Sequence, residues 1–321
     1  MRWGYTLMTE QAGPSALVAH AEAAERAGFD FEVMSDHYSP WLAEQGHSPN
    51  AWSVLGAVTQ RTSEVELMTY VTCPLFRYHP AVVAQQAATV QLLSGNRFTL
   101  GLGAGENLNE HIAVPGWPPV NVRHEMLAEA IEIIGALFDG GSVDHSGKHY
   151  RVDSARLWDL PEQRVPLAVA VSGPRSVAEF ALVADALVAV EPDEGLVRDW
   201  DATRGELPSR KIGQLPVCWD PDRDAAVRRA HEQFRWFGGG WKVNAELPGP
   251  AAFAGATQFV RPEDVAGSIP CGPDVDPVVA AVRKFVAAGF TDVALVQIGG
   301  EHQEGFLAFA EKELLPALRE L

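Results

Sequence analysis

The chain has 321 residues, 47% of them hydrophobic, and a formal net charge of −17. It is therefore long enough to bury a large core and too acidic to attract a nucleic-acid backbone or an anionic membrane. Three widely spaced cysteines, Cys73, Cys218 and Cys271, form no Cys-x-x-Cys pair, so neither a disulfide framework nor a thiolate zinc site is suggested. With no apolar stretch of signal-peptide length and no run of about 18 apolar residues, the expected location is the cytoplasm.

Residues 3–8 are the first apolar run of strand length. Residues 14–27 follow with Leu17, Val18, Ala21 and Ala24 at helical spacing, and Gly28 stands where a left-handed cap would end the helix. Further strands are expected over 29–34, 65–73, 98–103, 166–171, 186–190, 214–219 and 292–298. Helical spacing is expected over 51–62, 80–93, 123–138, 174–184, 222–237, 277–288 and 304–320. Most strand runs are continuous rather than alternating, as parallel strands covered on both faces require. "AAERAGFDFEV" and "KFVAAGFTDVAL" repeat one helix, Gly-Phe and strand device near opposite ends of the chain. Eight strands alternating with helices predict an α/β fold, a single (β/α)8 TIM barrel over residues 1–321, with a doubly wound sheet as the alternative. The Gly/Pro-rich stretches 105–122 and 238–272 read as loops inserted at the carboxyl-terminal face of the strands.

On that architecture "SDHYSPW", directly after the second strand, projects Asp36, His37 and Trp41 into the barrel mouth, where titratable groups meet a ligand away from bulk water. From position alone, a helix-capping Asp beside a surface His is an equal reading. The fourth strand ends in "RFTLGLGAGENLNE", where Gly101, Gly103 and Gly105 would let backbone approach a flat or phosphorylated ligand and Glu106 and Asn109 would face it. The spacing is not a dinucleotide fingerprint, since Glu106 follows the glycines and no Rossmann unit opens the chain. "VAVSGPRS" places Ser172 and Gly173 before a Pro at a first helical position, where amides suit a phosphate. The histidines show neither a His-x-His pair nor a His-Glu-x-x-His helix, and no Gly-x-Ser-x-Gly elbow occurs, so no metal site and no serine nucleophile is expected.

Together "SDHYSPW", "HSPNAWSVLGAV", "VTCPLFRYHPAVVAQQAATVQLL", "RFTLGLGAGENLNEH" and "FGGGWKVNAELPGP" resemble the F420-dependent glucose-6-phosphate dehydrogenase family, within the luciferase-like flavin and deazaflavin oxidoreductases. The likeness spans nearly the whole chain and keeps motif order. It implies a luciferase-like barrel that binds coenzyme F420, a homodimer, and hydride transfer at the deazaflavin C5. An FMN-dependent luciferase-like monooxygenase or reductase is the alternative on the same barrel. By resemblance His37 lies on the hydride path, Trp41 flanks it and Glu106 stands near the deazaflavin ring. Asp36, Cys73, Ala104, Asn109, Ser172, Gly173, Arg175 and Ser176 match positions that touch the cofactor, and Tyr70 and Val71 match a non-proline cis peptide behind the ring. Tyr70 is a departure, since relatives carry a small residue there.

Imidazole suits the chemistry, because the hydroxyl proton of a carbinol must pass to a base that titrates near working pH. The phosphate-binding positions of the family depart further. After the sixth strand the chain reads Val190 and Asp193 in place of a Thr and a Lys, the later Arg position falls near Gly267 and Ser268, and Lys242 matches the remaining Lys. A carboxylate there would repel phosphate. The expected substrate is therefore a small unphosphorylated alcohol or carbonyl compound.

Overall fold

Eight parallel strands close into a barrel in the order β1-β10-β9-β8-β7-β4-β3-β2. The structure, a computed structural model, describes residues 1–114 and 116–321. The barrel strands are β1 (Arg2–Leu7), β2 (Phe31–Met34), β3 (Glu66–Thr69), β4 (Phe98–Leu102), β7 (Leu167–Ala170), β8 (Ala186–Ala189), β9 (Arg210–Val217) and β10 (Asp292–Gln297). These are the eight runs expected from the sequence. β5 (Val143–Ser146) and β6 (Arg151–Ala155) form a separate antiparallel pair that the apolar runs do not announce, because their residues alternate between exposed and covered.

Outward-facing Trp3, Leu67, Phe98, Leu100 and Leu167 join one core with the surrounding helices, while Phe31, Val33, Met68, Val188 and Ile212 fill the barrel interior. At the amino-terminal end Arg2 and Arg210 lie over the Phe31 ring at 5.6 and 5.7 Å. Both also reach Glu66 at 2.9 Å, and Arg210 holds Asp292 at 2.7 Å. Phe31 so fills this end that a Cβ on Gly4 would stand 2.4 Å from its ring, which only glycine avoids. The two Gly-Phe devices behave alike: Gly28 and Gly289 take φ of 93° and 90° after their helices.

The helices over Pro14–Ala27 and Pro80–Leu93 occupy the residues expected of them, each opened by its proline. The segment expected as helix over 222–237 ends at Phe234 and tightens into a 3₁₀ turn over Arg235–Gly239. A helix over Glu194–Arg204 goes unannounced, and the stretch after β9 carries short helices over Trp241–Asn244, Gly249–Ala256 and Pro262–Ala266 rather than loop alone. That stretch leans on the segment after β4: the Asn107 amide donates to Ala245 O at 3.0 Å, and Arg123 pairs with Glu246 at 2.9 Å.

Glu32 on β2 faces outward beside Tyr5, fully buried, and neither carboxylate oxygen finds a protein hydrogen-bond donor. Burial, helped by the charge of Glu25, pushes its carboxyl well above the usual carboxylate range. Folding therefore holds a proton that the unfolded chain loses once pH rises past the ordinary carboxylate range, so stability falls as pH climbs from there toward the folded-state value. Glu32→Gln is expected to melt at a higher temperature than the parent at pH 8, with the gain shrinking toward pH 4, as scanning calorimetry at several pH values would read.

Candidate active site

His37 lies three residues past Met34, where β2 ends and the chain turns into the mouth. Its imidazole is held between two carboxylates: Nδ1 lies 3.0 Å from Glu10 Oε1 and Nε2 lies 3.2 Å from Glu106 Oε1. The Nδ1 contact lacks hydrogen-bond alignment. Glu10, just beyond β1, is 1% exposed, and its second oxygen accepts from Ser35 Oγ at 2.5 Å and Thr9 Oγ1 at 3.1 Å. Glu106 is 14% exposed and therefore stands on the open side of the ring.

Asn109 positions Glu106 from one helical turn away. Its Nδ2 donates to Glu106 Oε1 at 2.5 Å while its Oδ1 accepts from the amides of Tyr38 and Ser39 at 2.8 and 3.1 Å. The segments after β2 and β4 are thereby locked to each other. Asp36 does not contact the imidazole; the carboxylate at Nδ1 is that of Glu10. Asp36 turns instead to Thr72 Oγ1 at 2.8 Å, Tyr78 OH at 3.3 Å and Arg77 at 3.4 Å. Arg77, with its side chain 8% exposed, also binds Glu110 at 2.7 Å and so joins two buried acids. Burial raises the Glu110 carboxyl even against that guanidinium.

Trp41 is 6% exposed and packs at 5.0 Å from the His37 ring. On its other side Trp236 stacks at 4.1 Å and 9°, and Phe253 meets it edge-on at 5.1 Å. Trp236 and Phe253 come from the stretch after β9. Neither is suggested by the sequence, and neither is Glu10: an isolated acid after a strand and two aromatics in a loop carry no local pattern, and only the closed fold brings them to His37 and Trp41.

The peptide bond between Tyr70 and Val71 is cis, as the resemblance implies. The chain leaves the β3 ladder at that point, which is why the strand ends at Thr69 rather than running on to residue 73. The glycines after β4 answer to this bend. A Cβ on Gly101 would stand 1.9 Å from Thr69 O, one on Gly103 2.6 Å from Val71 Cγ2, and one on Gly105 2.4 Å from Cys73 Sγ. These glycines thus permit a close approach of the chain to itself. Tyr70 turns into the barrel, its hydroxyl donating to Ala189 O at 3.3 Å across the lumen, and burial raises its phenol. Cys73 is buried against Gly105; burial first, then Glu110 and Glu106, raises its thiol. Ala104 is half-buried between these glycines.

The "SGPRS" segment opens a short helix over Pro174–Phe180. Ser176 Oγ accepts from the Ser172 amide at 3.1 Å and donates to Gly173 O at 2.9 Å, so this hydroxyl serves the turn. The Ser172 hydroxyl and Arg175 are exposed, and no atom lies within 4 Å of where a Gly173 Cβ would stand. Past β8, Val190 is 38% exposed and Asp193 caps the next helix, accepting from the Leu196 amide at 3.0 Å. Lys242 is exposed on the short helix over Trp241–Asn244.

A closed (β/α)8 barrel with an imidazole, two carboxylates and an indole at its carboxyl-terminal mouth defines a class of enzyme site. The chain belongs to the luciferase-like monooxygenase family, whose profile matches residues 1–292. It is similar to the F420-dependent glucose-6-phosphate dehydrogenase of Microbacterium testaceum, with 33% identity over 99% of this chain and 98% of the relative. It is also 33% identical to an F420-dependent hydroxymycolic acid dehydrogenase of Mycobacterium tuberculosis, over 98% of this chain and 88% of that one. Among solved structures an F420-dependent secondary alcohol dehydrogenase, in complex with an F420-acetone adduct, superposes with a TM-score of 0.90 at 27% identity over 99% of both chains.

Proposed function

We propose that the chain is a coenzyme F420-dependent oxidoreductase that moves a hydride between the deazaflavin and an unphosphorylated alcohol or carbonyl substrate. The observation that carries this reading is the imidazole of His37 held between Glu10 and Glu106 beside Trp41. Bound F420 supplies a two-electron hydride acceptor or donor at C5. The residues fit such a group: an indole wall, hydroxyl and guanidinium groups at Ser172 and Arg175 for a phosphate, and titratable side chains at one edge.

His37 Nε2 takes the hydroxyl proton as hydride leaves the carbinol carbon, and returns it in the reverse direction. Nε2 is the suited atom because the carboxylate beside it is the more exposed one, whereas Nδ1 faces buried Glu10. Glu10 orients the ring and stabilises the imidazolium that forms, fixed in turn by Ser35 and Thr9. Glu106, steered by Asn109, would stand beside a bound deazaflavin ring and answer changes of charge there. Asp36 and Cys73 support the wall behind, Ala104 and Val71 line it, and Trp41 with Trp236 and Phe253 excludes water. Tyr70 narrows the mouth on the side of β8. The same reading carries a homodimer in the cytoplasm; among the described residues no helix is long and apolar enough to cross a membrane.

Titration of the purified protein with F420 and with FMN is the first test, and tighter binding of F420 is the expected result. Equal or tighter FMN binding would favour a monooxygenase or reductase that uses a flavin. His37→Ala is expected to keep F420 affinity within a few-fold and to lower turnover about 10² to 10⁴-fold, with Glu10→Gln losing roughly tenfold or more. Single-turnover absorbance of F420 reads both, and unchanged rates with His37→Ala would remove the imidazole from the mechanism.

Substrate class follows from charge. Val190 offers no hydroxyl and Asp193 is a carboxylate, so a phosphate near the end of β8 meets repulsion and lacks two contacts. Charge-assisted hydrogen bonds contribute about 1.5 to 3 kcal/mol each, so glucose 6-phosphate is expected to show a kcat/KM lower by roughly 10² or more than with a sugar-phosphate enzyme of the family. Lys242 offsets this only in part. Steady-state F420 reduction with glucose 6-phosphate and a panel of secondary alcohols decides it, and comparable kcat/KM for glucose 6-phosphate overturns the assignment.

A further inference from the structure

Two cysteines outside the hydride-transfer site face each other across a fold boundary. Cys218 follows β9 directly, and Cys271 closes the stretch that carries Phe253 and the helix over Pro262–Ala266. The two residues are paired in register on an isolated parallel bridge, with the Cys218 amide donating to Pro270 O at 2.9 Å and the Gly272 amide donating to Cys218 O at 3.0 Å. Paired strands lie about 4.8 Å apart, inside the roughly 4.4 to 6.8 Å Cα separation that a disulfide spans, and paired residues project from the same face. Cys271 packs against the buried cluster that holds Cys218, Trp41, Trp236 and Phe253.

The two thiols differ in burial and surroundings. Cys218 is fully buried, while Cys271 is half-buried. Arg223 packs against Gly272, where a Cβ would stand 3.1 Å from its Cγ. Arg229 donates to Ile298 O at 3.2 Å, the carbonyl that also lies 3.9 Å from Cys218 Sγ. Cys271 Sγ itself donates to Ile269 O at 3.3 Å. The neighbouring Cys218 thiol and then these two guanidinium groups hold the Cys271 thiol below its ordinary range, whereas the neighbouring Cys271 and burial push Cys218 up. A half-buried thiol of lowered range beside a fully buried one is the arrangement of an attacking and a resolving cysteine.

We propose that Cys218 and Cys271 form a redox dithiol that low-molecular-weight disulfides close reversibly into a disulfide, fastening the stretch after β9 to the barrel. Cys271 thiolate attacks one sulfur of the reagent and expels its first thiol, leaving a mixed disulfide. Cys218 then attacks Cys271 Sγ and expels the second. The pair loses two electrons, the reagent gains them, and the two cysteine protons leave on the two expelled thiols. Cys73, buried without a cysteine partner beside it, stays reduced.

The test treats the whole folded protein with 2-hydroxyethyl disulfide and follows free thiols and cysteine-containing peptides by mass spectrometry. The expected result is loss of two of the three thiols together, a peptide cross-linked through Cys218 and Cys271, and full recovery with dithiothreitol. Cys218→Ser is expected to trap the reagent on Cys271, and Cys271→Ser to protect Cys218. The proposal is overturned if the parent protein keeps the reagent on Cys271 with no cross-link, if Cys73 is modified as fast as Cys271, or if all thiols survive conditions that oxidise a free-thiol peptide. The parent-protein cross-link decides the matter even where a serine variant misfolds.

Discussion

The opposition of Glu10 and Glu106 across one imidazole is the constraint on which the site depends. The three side chains come from beyond β1, β2 and β4, so the arrangement exists only while the barrel closes in its one register. Each carboxylate faces one ring nitrogen of His37, and each is anchored from behind, Glu10 by Ser35 and Thr9 and Glu106 by Asn109. Moving any one of the three strand ends would separate the imidazole from at least one acid.

A second constraint is steric. The turn at Tyr70 and Val71 brings the end of β3 against β4 so closely that Gly101, Gly103 and Gly105 have no room for a side chain. The path of β3 therefore sets the composition after β4, and that composition in turn leaves Glu106 as the N-cap of a one-turn helix that carries Asn109. The glycine cluster and the acid beside it are one device: the glycines seat the backbone, and the backbone aims the carboxylate.

Much of this was legible in the sequence because it is written locally. Continuous apolar runs mark buried parallel strands, and all eight are found in the barrel; Gly28 and Gly289 end helices as their position suggests. The β5 and β6 pair was not legible, since strands such as "VDHS" lack apolar continuity. Asp36 and His37 stood out as polar residues after a buried strand, yet their different duties, one bound to Arg77 and the other to Glu10, depend on residues far along the chain. The glycines after β4 were legible as sites of close approach but not in what approaches them, because the identity of the neighbour lies on another strand. Trp236 and Phe253 were invisible for the same reason: stacking on Trp41 is a contact between distant segments.

The aromatic wall has a further consequence. The imidazole and its two carboxylates come from beyond β1, β2 and β4, whereas Trp236 and Phe253, which back Trp41, come from the stretch after β9. On the function proposed above, reaction and selectivity are thus encoded in separate parts of the chain. Recombination or drift within residues 236–272 can reshape what the mouth admits while the acid–imidazole–acid set is inherited untouched, so a lineage built on this plan can diversify its substrates without reinventing its chemistry.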